Sequence, residues 1–147
     1  MHHRSISRAV AIAAAALLST TIGCGGNNDD VTGPAPPTSV TVPFGPDTLT
    51  HNGAKTFSFS VKVSGGISAQ LVDWEPNTML PVGMSLGTWN GSVCQVVLDL
   101  PAAVQGSAID GSTNTPGDFC VRIYDAFGNI VDPQTFVIHV AYFQPAQ

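Results

Sequence analysis

The alternation of apolar and polar side chains from Gly117 to Asp125 constrains the fold more than any other feature of this chain. Phe119, Val121 and Ile123 fall on one side of an extended backbone, and Cys120, Arg122 and Tyr124 on the other. A period of two predicts a strand with one buried face. Pro116-Gly117 before it and Gly128-Asn129 after it supply turn chemistry. The same alternation recurs in Phe57–Val63, with Phe57, Phe59, Val61 and Val63 on one side, and again in Phe136, Ile138 and Val140. Further strands are predicted over Ile67–Trp74, Met84–Trp89 and Ser92–Leu98, with a short one near Val104–Ile109. Asn52-Gly53 and Ser64-Gly65-Gly66 mark turns. Asn90-Gly91 predicts a two-residue hairpin that sets Trp89 opposite Ser92 and Gly87 opposite Cys94. Val96, Val97 and Leu98 are consecutive apolar residues, so the pattern leaves their inward face open. No segment after residue 23 has helical periodicity. Seven to eight short strands separated by turns predict an all-β, antiparallel sandwich of jelly-roll or immunoglobulin-like type.

Charge narrows the function. Only 10% of residues are charged, while Gly and Pro together number 26. Arg4 and Arg8 precede Cys24, and all ten acidic residues follow it. Beyond residue 23, Lys55, Lys62 and Arg122 stand against ten carboxylates, a net charge of −7. No basic patch meets phosphates, which argues against nucleic acid as a partner.

Residues 1–23 read as a targeting segment. Arg4 and Arg8 make a positive start, and Ala9–Leu18 is an unbroken apolar run, shorter than the roughly 20 residues a spanning helix needs. It closes on Thr21-Ile22-Gly23-Cys24, which resembles a bacterial lipoprotein signal, with Thr21 in place of the usual Leu. The resemblance implies cleavage before Cys24 and acylation of its thiol, with acyl chains holding the protein to a membrane at about 0.8 kcal/mol per buried methylene. Gly25, rather than Asp, after that Cys resembles the pattern of proteins sorted to the outer membrane. The bland alternative is simple secretion with Cys24 free.

With Cys24 assigned to lipid, Cys94 and Cys120 remain as a pair in an oxidising compartment, and a disulfide between them is expected. Two thiols without neighbouring His or Cys make a poor metal site, so neither metal nor cofactor is expected. Residues 24–46, rich in Gly, Asn and Asp and then in Pro, read as a flexible tether, although Thr38–Val42 alternates and is compatible with a first edge strand. The folded domain is expected over 47–143.

Pro116–Tyr124 followed by Phe136–Val140 resembles the closing strands of bacterial pre-peptidase C-terminal-type domains, and Phe57–Val63 resembles their opening strand. The middle of the chain lacks the Asp-x-Asp motif such domains often carry. The resemblance implies a jelly-roll-like sandwich that accompanies secreted enzymes or stands on cell surfaces, without catalysis of its own.

Gly83-Met84-Ser85-Leu86-Gly87 fits the G-x-S-x-G nucleophile pattern, and Asp99 and His139 follow in hydrolase order. That motif carries chemistry only on a strand-turn-helix elbow, and here a β-hairpin follows the serine. Asp110, Ser112 and Asn114 alternate like a calcium loop but lack an acidic bidentate closure. His51 and His139 read as polar surface residues. Trp74 and Trp89 are the candidate ligand-binding residues, since an exposed Trp on a secreted sandwich stacks on sugars or anchors a protein partner. The function expected is therefore a non-catalytic, lipid-anchored cell-envelope protein with a binding or scaffolding sandwich. A carbohydrate-binding module working through Trp is the alternative, and a small serine hydrolase at Gly83–Gly87 is a third reading.

Overall fold

Alternating sequence becomes alternating burial in a computed structural model that describes residues 33–146. The expected signal segment, Cys24 and the first part of the tether lie outside the described residues. Eight antiparallel strands and no helix are found among the described residues: β1 (Thr38–Leu49), β2 (Ala54–Val61), β3 (Gly65–Glu75), β4 (Val82–Trp89), β5 (Cys94–Ala103), β6 (Ala108–Thr113), β7 (Gly117–Tyr124) and β8 (Gln134–Gln144). They form two four-stranded sheets, ordered β1-β8-β3-β6 and β2-β7-β4-β5. This order is the jelly roll rather than the immunoglobulin arrangement, which places three strands against four.

The inward faces are the predicted ones. Phe59 and Val61 of β2, Val121 and Ile123 of β7, and Phe136, Ile138 and Val140 of β8 are buried in one core. An aromatic cluster closes one side of it: Phe44 and Phe57 stack with centroids 5.1 Å apart, and Phe59 lies 5.3 Å from Tyr142. Burying a side chain of this size contributes roughly 1.5–3 kcal/mol, which is why the alternation fixes the register.

The tether ends earlier than expected. Residues 38–46 belong to β1, which pairs with β8 from Thr38↔Gln144 onward, and the edge-strand reading of Thr38–Val42 is the one observed. Pro43 and Pro46 do not prevent this because β1 ends its sheet. A proline on an edge strand need not donate to a second neighbour, and the ladder is broken by a bulge between Phe44 and Asp47.

The β4–β5 hairpin also departs from expectation. Trp89 pairs with Cys94 and Gly87 with Val96, so the connection has four residues instead of two. A two-residue type I′ turn needs positive φ at both central residues, and here Gly91 has it (φ 97°) while Asn90 does not. Asn90 instead uses its side-chain oxygen to accept from the N–H groups of Ser92 (3.0 Å) and Val93 (2.8 Å). That local bonding sets the longer loop.

Candidate functional site

The outer face of the β2-β7-β4-β5 sheet carries Ser85, Asp99, Trp89, Cys94 and Cys120 of the residues singled out in the sequence. Ser85 lies opposite both Arg122 on β7 and Asp99 on β5, and Ser58 lies opposite Cys120. Because Val121, Ile123, Met84 and Leu86 point into the core, the alternate residues Cys120, Arg122, Tyr124, Gly83, Ser85, Gly87 and Trp89 project outward.

The glycines of the G-x-S-x-G stretch have a steric role on that face. A Cβ on Gly83 would run into the Tyr124 ring, so the ring lies directly against bare backbone. The Tyr124 hydroxyl donates to the Asp99 carboxylate, 2.8 and 3.0 Å from its two oxygens, and the Arg122 guanidinium carbon sits 4.6 Å from the ring centroid. Burial, and next the hydrogen bond to the Asp99 carboxylate, hold the Tyr124 hydroxyl above its ordinary pKa. A Cβ on Gly87 would meet the Gln95 carbonyl oxygen, so β5 crosses close over β4 at this point. The approach accompanies a bulge between Leu86 and Gly87. Cys94 of β5 is bonded there to Cys120 of β7, with Cα atoms 5.7 Å apart, although β4 lies between the two strands in the sheet.

Ser85 is fully buried in mid-strand, and its hydroxyl has no hydrogen-bond partner among the described residues. Asp99 is committed to Tyr124, and His139 lies on β8 of the other sheet, outward and exposed. The structure thus brings Ser85 and Asp99 together but not His139, and no nucleophile elbow forms. Asp110 and Ser112 are strand residues of β6. Among the described residues no cluster of three or more His, Cys, Asp or Glu could hold a metal ion.

The two tryptophans part company. Trp74 is corrected as a ligand-binding candidate: it is fully buried, and its Nε1 donates to the Leu80 carbonyl at 2.9 Å. A bulge between Leu71 and Asp73 shifts the phase of β3, so that Ile67, Ala69 and Leu71 are followed inward by Trp74. Trp89 remains half-buried at the end of β4. It borders two shallow depressions, one of about 440 Å³ shared with Ser58, Ser60 and Asp118, the other of about 340 Å³ shared with Thr56, Val93 and Arg122. Within the lining of the first, the Ser60 hydroxyl donates to the Asp118 carboxylate.

No protein-family model and no curated protein matches the chain. Among solved structures, the fold is similar to that of PliG from Aeromonas hydrophila, a periplasmic lysozyme inhibitor of g-type lysozyme. The identity is 9% and the TM-score 0.46, over 72% of this chain and 86% of that one.

Two determinants of this face escaped the sequence reading. One is the Tyr124–Asp99 bond between non-adjacent strands; the other is the use of Gly83 and Gly87 as clearances. Their spacing was the available signal, since residues 83, 85 and 87 of a strand share one face.

Proposed function

We propose that this protein is a non-catalytic binding module of the cell envelope, held there by lipid on Cys24 and presenting the outer face of the β2-β7-β4-β5 sheet to its ligand. In this reading it is a bacterial lipoprotein with a sandwich of the pre-peptidase C-terminal type, exported and sorted to the outer membrane. The observation that carries the binding assignment is Trp89. It is a large aromatic side chain left half-open on a disulfide-stapled face, beside hydroxyls and charges that are already held in place. A rigid aromatic with polar neighbours loses little entropy on binding.

Carbohydrate is the second reading, favoured by what flanks the indole. Ser58, Ser60 and Asp118 on one side and Thr56 and Arg122 on the other offer donors and acceptors to sugar hydroxyls around a stacking surface. A panel of envelope polysaccharides and envelope proteins presented to the full chain tests both. Retention of one class, lost in Trp89→Ala and kept in Met79→Ala, is the expected result. Binding that survives Trp89→Ala places the ligand elsewhere and ends the assignment to this face.

A further inference from the structure

A second surface lies at the open side of the sandwich and meets the Trp89 face at Asp118. β5 ends its sheet and β6 ends the other, and among the described residues no strand pairs with the free edge of either. Between them runs a groove of about 530 Å³, whose lining includes Leu86, Val97, Leu98, Gly111, Asp118 and Phe119. Gly111 is close enough to Leu98 and Leu86 that any side chain there would press on both.

The first half of β5 is unusually unguarded for an edge strand. Natural sheets blunt their edges with charges or prolines, yet Gly91–Leu98 contains neither; Asp99 and Pro101 come only afterwards. Val96, Val97 and Leu98 are 46, 69 and 37% exposed. An unpaired row of backbone donors and acceptors beside apolar side chains is what strand addition uses: the backbone supplies hydrogen bonds, and the groove takes alternate side chains.

Charge says what kind of strand fits. Asp118 of β7 is the one charged residue lining the groove, and beyond residue 23 ten carboxylates stand against Lys55, Lys62 and Arg122, none of which lines it. A second copy of this chain would set one acidic body against another. We propose that β5 accepts an extended segment of a partner protein as a fifth strand of the β2-β7-β4-β5 sheet, and that this segment alternates apolar residues with Lys or Arg.

The test uses the full chain and two dye-labelled octapeptides, one alternating Val with Lys and Thr, the other with Glu in place of each Lys. Fluorescence anisotropy should show saturable binding of the Lys peptide and at least about tenfold weaker binding of the Glu peptide. Val97→Lys should weaken the Lys peptide about tenfold. Val131→Lys, which adds the same charge at another exposed position, should leave it within about twofold. Thermal melts of both variants check that the fold is intact. The proposal is overturned by absence of saturable binding, by equal binding of the Glu peptide, or by equal weakening in the two variants. It is also overturned if sedimentation shows the chain dimerising in a manner that Val97→Lys abolishes, because β5 would then serve a second copy.

Discussion

Two tryptophans in similar strand patterns have opposite fates, and the difference is measurable. Trp74 fills the core and satisfies its own N–H, so Trp74→Ala leaves a cavity and an unpaired carbonyl at Leu80. We expect a loss of about 3–5 kcal/mol in urea denaturation. Trp89→Ala removes a half-exposed ring and should cost on the order of 1 kcal/mol or less in the same experiment. Equal losses would mean that Trp89 is a packing residue and not a presented one. Asp125 supplies the pH dependence. Its side chain is shielded from solvent and accepts from the N–H groups of Asn52 (3.0 Å), Asn129 (3.0 Å) and Ile130 (3.4 Å), tying the β1–β2 turn to the β7–β8 loop. Burial pushes its carboxyl upward, but these backbone donors outweigh burial and hold it below its ordinary value. A carboxyl depressed in the folded state stabilises fully above the unfolded value of about 3.9 and loses that stabilisation as pH falls through the folded value. Melting temperature should therefore drop below about pH 4, and less steeply in Asp125→Asn; an identical slope in the variant would assign the acid transition to other carboxylates.

At the scale of the element, the disulfide and β4 depend on each other. Cys94 reaches Cys120 over an intervening strand because Gly87 leaves room for β5 to cross close to it. Closing the loop of sequence separation 26 contributes about 3.5 kcal/mol in the chain-entropy model. Cys94→Ser with Cys120→Ser should lower stability by about 2–5 kcal/mol in denaturant while preserving the β-sheet circular dichroism spectrum. A double variant as stable as the parent would show that the crossing holds without the bond. β1 illustrates edge tolerance: its prolines would be costly in β8 or β7, where both sides of the strand are paired, but are accommodated at the rim.

For the whole molecule, one sandwich offers two surfaces of different chemistry, a polar face around Trp89 and an apolar edge at β5. A lipid on Cys24, if present as proposed, would hold both near a membrane. Intact-mass measurement of envelope material should find an N-terminal Cys24 carrying acyl chains, and Cys24→Ser should move the protein to the soluble fraction. Recovery of unacylated protein with residues 1–23 removed would refute the anchor while leaving the binding face untouched. The sequence by itself determined the fold class, because half-buried strands impose a period of two that β2, β7 and β8 carry without interruption. It also pointed to the Cys94–Cys120 pair. Only the tertiary structure decided where the tether stops, how the Asn90-Gly91 hairpin pairs and which tryptophan is open. A bulge inverts the faces of every residue beyond it, and an edge forgives what a central strand forbids. Neither is written in local alternation, since both depend on what lies beside the strand.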